Sequence, residues 1–171
     1  MLRPAQLAAC AAVVARHPDV AWVLDHAGKP PVAAGWGSTE AQEWARLIAA
    51  LGRLPRLTIK LSGLTTMADL ERWTTTDLEP WVDHLLEVAG PDRLAFGSDW
   101  PVSRRASEYG RTVGAVGELL GRLSPAEQAL VLGGDGRARL PAHSVGRLSI
   151  RPARCAMWTT SSRWLRPMCS K

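Results

Sequence analysis

Long apolar runs are missing from this 171-residue sequence. None approaches the roughly 18–20 residues that a membrane-spanning helix requires, so we expect no membrane partner. The three cysteines, Cys10, Cys155 and Cys169, are odd in number and have no metal-ligand spacing. This usage argues against a disulfide framework and suits a reducing cytoplasm, the location that we predict. The sequence also lacks G-x-S-x-G, P-loop and G-x-G-x-x-G motifs, so serine-hydrolase, nucleotidase and dinucleotide-binding functions have no support.

Acidic residues are absent from the end of the chain. Residues 137–171 contain eight Lys and Arg and no Asp or Glu, a net charge of +8, whereas residues 1–136 contain 13 basic and 16 acidic residues, a net charge of −3. The formal net charge of +5 therefore comes from the tail. Bulk charge is consequently no argument that the rest of the chain binds nucleic acid.

The tail, residues 137–171, has neither a helical stripe nor strand alternation, and it combines Arg, Pro and Ser with Trp158 and Trp164. One interpretation is a basic segment with interleaved aromatic residues that binds nucleic acid. The abrupt change of composition and the lack of a stacking platform favour the other interpretation, a disordered or aberrant C-terminus. We therefore predict a folded domain over residues 1–136, a separate tail, and no nucleic-acid partner.

Strand-like apolar runs alternate with helical patterns along the first 132 residues. The runs occupy residues 20–24, 57–61 and 93–97, and their polar ends are about 35 residues apart, the length of one β/α unit. The pattern predicts an α/β fold with parallel strands. Three short parallel strands are too few for a closed architecture, so we expect a segment of something larger.

Helix signals separate these runs. Residues 4–16 read as a helix rather than a signal peptide, because no convincing cleavage region follows. Two patterns predict capping boxes, Thr39 with Gln42 and Thr76 with Glu79. A helix is expected around residues 108–123, and a shorter one begins after Ser124, with Pro125 in its first turn and Glu127 completing the box.

Each strand-like run ends in polar side chains. Asp25 and His26 follow the first run, Lys60 ends the second, and Asp99 follows the third. In parallel barrels the carboxyl ends of the strands form the active site, and charge placed there costs free energy unless it is used or paired. Strand alternation predicts that Asp25 points away from His26 and has only a supporting role.

Three motifs sharpen this interpretation: VLDHAGKPP, IKLSGL and PDRLAFGSDWPV. In this order and spacing, over roughly residues 1–134, they resemble the amidohydrolase-related (amidohydrolase 2) family, in its lactonase-like branch that acts on sugar lactones and pyrones. The resemblance implies an incomplete TIM (β/α)8 barrel, about three C-terminal β/α units long. It also implies a hydrolase of a lactone or a related carboxylic ester or amide-like bond, with a small-molecule substrate that carries a lactone or carboxylate group.

The resemblance gives Asp99 the role of general base for the hydrolytic water, and His26 that of a catalytic group that polarises the carbonyl. Both would be metal ligands if the enzyme is metal-dependent; zinc is one option, and the lactonase branch also contains members that need no metal. The structural alternatives are an Asx-turn or helix cap for Asp99 and a loop hydrogen bond for His26.

Four further residues are predicted to bind substrate: Lys60, Ser62, Trp100 and Lys29. A lysine inside an apolar strand needs a partner, either an anionic substrate group or a structural salt bridge. Trp22, Trp44 and Trp81 are predicted packing residues. We assign no role to His17, at a helix end, or to His84, on the outer or flanking face of a helix.

The sequence contains no H-x-H motif, which begins complete members of the family. We therefore expect this chain to lack the half of the barrel that completes the active site. Whether it is an active enzyme stays open at this stage. The alternative is a truncated or degenerate non-catalytic domain, which would act as an interaction protein through its exposed sheet edge or its basic tail.

Overall fold

The structure is a computed structural model that describes residues 4–133. Strands β1 (Trp22–Leu24), β2 (Leu57–Leu61) and β3 (Leu94–Phe96) form a parallel sheet in the order β1-β2-β3. Trp22 pairs with Leu57, and Ile59 pairs with Leu94. The α/β class with parallel strands is confirmed, although the first and third strands are shorter than predicted. The tail and the boundary expected near residue 136 lie outside the described residues.

Five α-helices accompany the sheet within residues 4–133, and none of them is long and apolar enough to cross a bilayer. Single turns of 3₁₀ helix follow the strands at Asp25–Gly28, Thr65–Met67 and Val102–Arg105. Another, Pro4–Gln6, precedes the first α-helix, which therefore begins later than predicted. The α-helices are α1 (Leu7–Arg16), α2 (Thr39–Gly52), α3 (Thr75–Ala89), α4 (Tyr109–Leu120) and α5 (Pro125–Leu132).

Two of the three predicted capping boxes are wrong in position. Helix α2 is capped by Ser38, whose hydroxyl accepts a hydrogen bond from the Ala41 N–H at 3.2 Å. Helix α3 is capped by Thr74 in a reciprocal box with Asp77. In each case the predicted hydroxyl residue has Gln or Glu three positions later and the true cap does not, so the pattern selects the wrong residue. The box of Ser124 and Glu127 before α5 is confirmed.

The core lies between one face of the sheet and the helices. Along β2 the side chains alternate between buried (Leu57, Ile59, Leu61) and half-buried (Thr58, Lys60), as expected for a strand covered on one face. On the other face, Val23 of β1 is 45% exposed. Within residues 4–133, β1 and β3 each pair only with β2, so the sheet has two unpaired edges.

An aromatic cluster joins helices α2 and α3. Trp44 and Trp81 are fully buried, which confirms their packing role, and Trp36 contacts both at ring-centroid distances of 6.4 and 5.0 Å. Of the outer and flanking positions predicted for His84, the outer one is wrong. Its ring lies 5.7 Å from those of Trp36 and Trp44, and its Nε2 donates to the Ala45 carbonyl oxygen at 2.9 Å. His84 is therefore part of the α2–α3 interface.

Helices α2 and α3 approach closely at their carboxyl ends. The Arg93 guanidinium, just before β3, donates to the carbonyl oxygens of Gly52, Leu54 and Val88 at 2.5, 3.1 and 3.4 Å. A Cβ atom added at Gly52 would lie 2.6 Å from the Val88 carbonyl oxygen, which is closer than any real contact. Only glycine fits at this crossing.

Gly52→Ala should therefore destabilise the protein by about 1–3 kcal/mol, because the added methyl group overlaps a fixed backbone atom. Gly117→Ala is the matched control, since Gly117 lies in α4 with no atom within 4 Å of an added Cβ. There the substitution should add about 0.5–1 kcal/mol of stability through helix propensity. Urea unfolding of the full chain measures both, and equal effects would contradict the close packing of α2 on α3.

Candidate active site

Side chains from all three strand ends converge at the carboxyl edge of the sheet. The Nε2 atom of His26 lies 3.5 Å from Oδ1 of Asp99 and 3.3 Å from Oδ2 of Asp25. The other oxygen of Asp25, Oδ1, lies 2.6 Å from Nζ of Lys60. Three contacts to carboxylates thus link the residues predicted to share one cleft, His26, Lys60 and Asp99.

Unusual backbone conformations place these side chains. His26 (φ 49°) and Asp99 (φ 57°) both adopt the left-handed region, as do Ala27 (φ 48°) and Lys29 (φ 57°). For residues with a Cβ atom this region costs about 1–2 kcal/mol each, and it persists only where the surrounding structure enforces it. Such residues concentrate at active sites. The turns after β1 and β3 therefore have backbone conformations that are typical of active sites.

His26 is a buried histidine with both ring nitrogens engaged. It is 8% exposed, and Nδ1 lies 2.8 Å from the hydroxyl oxygen of Ser62, itself 4% exposed. Because Nε2 faces two carboxylates, which only accept hydrogen bonds, the proton of the neutral ring belongs on Nε2. Nδ1 is then the acceptor and the Ser62 hydroxyl donates to it. This tautomer presents an N–H donor to the cleft.

The orientation predicted for Asp25 is wrong. Strand β1 ends at Leu24, and Asp25 begins a 3₁₀ turn, so strand alternation no longer applies to it. Its carboxylate contacts both His26 and Lys60. Burial raises the pKa of Asp25, but the hydrogen bond from Lys60 and the electrostatic interactions with His26 and Lys60 together outweigh this effect and hold the pKa below its ordinary value.

Asp99 has a partner that the sequence did not reveal. The Thr66 hydroxyl lies 3.2 Å from Oδ2 of Asp99 and 2.9 Å from the carbonyl oxygen of Gly63. The side chain of Asp99 is 10% exposed, and its Oδ1, at 3.5 Å from His26, is only loosely engaged. Thr66 is 33 residues from Asp99, and a lone threonine in a loop carries no signal that points to this contact.

The remaining predicted substrate-binding residues surround this centre. Trp100 follows Asp99 and is 65% exposed, and Lys29 is half-buried in the turn after β1. Lys60 is half-buried on the open face of the sheet. Ser62 lies behind the ring of His26 rather than on the exposed surface. Their contacts with a substrate stay predictions.

The candidate site provides few ligands for a metal ion among residues 4–133. Within residues 4–133 no three or more His, Cys, Asp and Glu side chains are arranged to hold one. His26 Nε2 and Asp99 Oδ1, the predicted ligands, are 3.5 Å apart. Two ligands of a tetrahedral zinc ion are about 3.3 Å apart, so this pair fits two of the four positions. Residues 4–133 therefore do not form a zinc site by themselves.

Comparison with known proteins places the chain in a family. The family profile described as "Amidohydrolase" matches residues 1–135. The chain belongs to the amidohydrolase family. This confirms the resemblance carried by the three strand-end motifs, which all lie inside the matched region.

Among curated amidohydrolase relatives, the chain is 40% identical over 136 residues to an L-fucono-1,5-lactonase of Burkholderia multivorans, covering 75% of this chain and 46% of the relative. It is 39% identical over 114 residues to an L-fucono-1,5-lactonase of Burkholderia ambifaria, covering 64% of this chain and 36% of the relative. The chain thus spans less than half the length of both lactonases.

Solved amidohydrolase structures agree with this assignment. A Burkholderia multivorans amidohydrolase with bound zinc superposes with a TM-score of 0.76 at 36% identity, covering 81% of this chain and 50% of that chain. A probable 2-pyrone-4,6-dicarboxylic acid hydrolase of Acinetobacter baumannii superposes with a TM-score of 0.58 at 19% identity, covering 80% and 49%. The second likeness supports the fold alone.

Lys60→Met should raise the pKa of Asp25, because it removes the hydrogen bond and the charge that lower it and leaves the effect of burial. Lys29→Met is the matched control: it removes a nearby ammonium group that forms no ion pair with Asp25 among residues 4–133, so the pKa should change little. Carboxyl NMR titration of the labelled full chain measures both. An unchanged pKa in Lys60→Met would show that the ion pair does not form in solution.

Proposed function

We propose that this chain is part of a lactone hydrolase in which Asp99 is the general base and His26 polarises the carbonyl. The observation that carries the proposal is the 3.5 Å separation of His26 Nε2 and Asp99 Oδ1 at the carboxyl edge of a parallel sheet. At this distance His26 can donate a hydrogen bond to a carbonyl oxygen while Asp99 accepts a proton from the water that attacks the same carbonyl. The names of the 40% and 39% identical relatives support a lactone as the substrate.

The architecture that we propose for the whole enzyme is a (β/α)8 barrel, to which this chain contributes three consecutive β/α units. Two unpaired sheet edges and the open face that carries Val23, Thr58 and Lys60 support this proposal. In a closed barrel that face points inward, and the carboxyl ends of the strands surround the mouth. His26 and Asp99 would then face the strands that complete the barrel.

The reaction that we propose begins with water held by Asp99. The carboxylate takes a proton from this water while the water oxygen bonds to the lactone carbonyl carbon. His26 donates a hydrogen bond from its Nε2–H to the carbonyl oxygen, where negative charge develops, and keeps its proton throughout. The bond between the carbonyl carbon and the ring oxygen then breaks, and Asp99 returns its proton to that oxygen. The product is a hydroxy acid, which ionises at neutral pH.

Lys60 is the cation that we propose to bind the substrate. Its ammonium group is half-buried on the open face, and its present partner, Asp25, is about half exposed. An ammonium group donates up to three hydrogen bonds, so the pair with Asp25 leaves donors for a substrate hydroxyl or carboxylate. Trp100 and Lys29, in the turns after β3 and β1, are proposed to contact the substrate around the same mouth.

The test joins the full chain to the part of the Burkholderia multivorans lactonase that it does not match and measures hydrolysis of L-fucono-1,5-lactone. Asp99→Asn should lower kcat by at least about 100-fold, because an amide does not accept the proton of the attacking water. The fold should be retained, since the two side chains have nearly the same shape.

Asp92→Asn is the matched control, because Asp92 is an exposed acid just before the amino end of β3, at the opposite edge of the sheet. It should leave kcat unchanged. Full activity of the Asp99→Asn fusion would refute the base assignment. An inactive but folded parent fusion would instead favour the non-catalytic alternative.

A further inference from the structure

One short loop contacts both reactive side chains. Residues 62–66, here called the β2 loop, follow strand β2 directly. At its first position the Ser62 hydroxyl lies 2.8 Å from Nδ1 of His26, and at its last position the Thr66 hydroxyl lies 3.2 Å from Oδ2 of Asp99. The central strand thus reaches the end residues of both neighbouring strands through a single segment of five residues.

Both residues that the β2 loop touches need external support. His26 and Asp99 have left-handed backbones, which an isolated chain would abandon for a lower-energy conformation. The hydroxyl contacts come from the far side of each functional group. Ser62 contacts Nδ1 while Nε2 faces Asp99. The Thr66 hydroxyl shares its single hydrogen between the Gly63 carbonyl oxygen and Oδ2 of Asp99, while Oδ1 faces His26. The atoms proposed to react are therefore the ones that the loop leaves free.

The loop itself is firmly placed. Leu64 and Thr65 are both 3% exposed, and they anchor its centre in the core. Gly63 adopts φ +71°, and a Cβ atom there would lie 3.0 Å from Nδ1 and 3.1 Å from Cβ of His26. The backbone of Gly63 thus packs directly against the imidazole ring. The Gly63 backbone and the Ser62 hydroxyl both meet the ring at Nδ1 and together define its tilt.

We infer that Ser62 and Thr66 are positioning residues: Ser62 fixes the orientation of the His26 ring, and Thr66 fixes the rotation of the Asp99 carboxylate. This inference gives Ser62 a different role from the substrate contact predicted from the sequence, and it adds Thr66 to the site. Its catalytic consequence rests on the proposed function, whereas its structural content, two hydroxyl groups that orient two side chains, does not.

The catalytic consequence is tested in the fusion described above. Thr66→Val keeps the shape of the side chain and removes the hydroxyl, so kcat should fall about tenfold with little change in KM. Thr66→Ser restores the hydroxyl and should return kcat to within about twofold of the parent. Thr112→Val is the matched control: Thr112 is buried in α4, and its hydroxyl lies 2.7 Å from that of Ser107. It should lower stability and leave kcat unchanged.

A second readout does not depend on activity. Long-range ¹H–¹⁵N NMR spectra of the full chain report the tautomer of each histidine, and loss of one signal set in His26→Gln assigns His26. The parent should carry its proton on Nε2, and Ser62→Ala, which removes the hydrogen-bond donor at Nδ1, should shift the ¹⁵N resonance of Nδ1 in His26. Ser103→Ala is the matched control, because Ser103 is fully buried and its hydroxyl has no hydrogen-bond partner among residues 4–133. It should leave the His26 signals unchanged.

The outcomes separate the two proposals. An active parent fusion in which Thr66→Val and Thr112→Val have equal kcat overturns the role of Thr66 and leaves the proposed function intact. A Ser62→Ala chain in which the Nδ1 resonance of His26 does not move overturns the role of Ser62. An inactive fusion whose full chain still shows the Nδ1 shift in Ser62→Ala overturns the proposed function and supports the positioning of His26.

Discussion

Parallel pairing through the central strand β2 is the constraint on which the rest of the structure depends. It aligns Trp22 with Leu57 and Ile59 with Leu94, so the carboxyl ends of three strands meet at one edge. Antiparallel pairing would send alternate ends to opposite edges. Because the chain must return to the same edge before each strand, each connection contains a helix, and these helices bury one face of the sheet. The layered core and the cluster of polar side chains thus have a common cause.

The residues that stabilise the fold and the polar residues of the candidate site lie in different parts of the structure. The helix-covered face contains aliphatic and tryptophan side chains that exclude water, whereas the carboxyl edge concentrates strained residues and polar contacts. His26 and Asp99 both have left-handed backbone conformations, which lower stability, and their side chains contact each other. The free energy that this costs is offset by burial elsewhere. An edge built in this way holds a donor and an acceptor together before any substrate arrives, which lowers the reorganisation that a reaction requires.

The sequence predicts much of the fold, because apolar runs of strand length and spacing of about one β/α unit are local signals. It predicts the site residues at strand ends for the same reason. It selects Thr39 over the true cap Ser38, because only Thr39 has Gln or Glu three positions later. It mispredicts Asp25, because alternation holds only while the chain stays extended. Thr66 is missed altogether, since its contact with Asp99 depends on how two strands align in space.

The guanidinium of Arg93 has a consequence for how a scaffold of this kind can change over time. It donates to carbonyl oxygens at the carboxyl ends of both α2 and α3 and so joins the two helices. This contact lies near the amino edge of the sheet, whereas His26 and Asp99 lie at the carboxyl edge. Substitutions in the loops of the opposite edge leave this anchor intact. Descendants of one ancestral scaffold are therefore free to diversify their substrates by altering one rim of the sheet while inheriting the other unchanged.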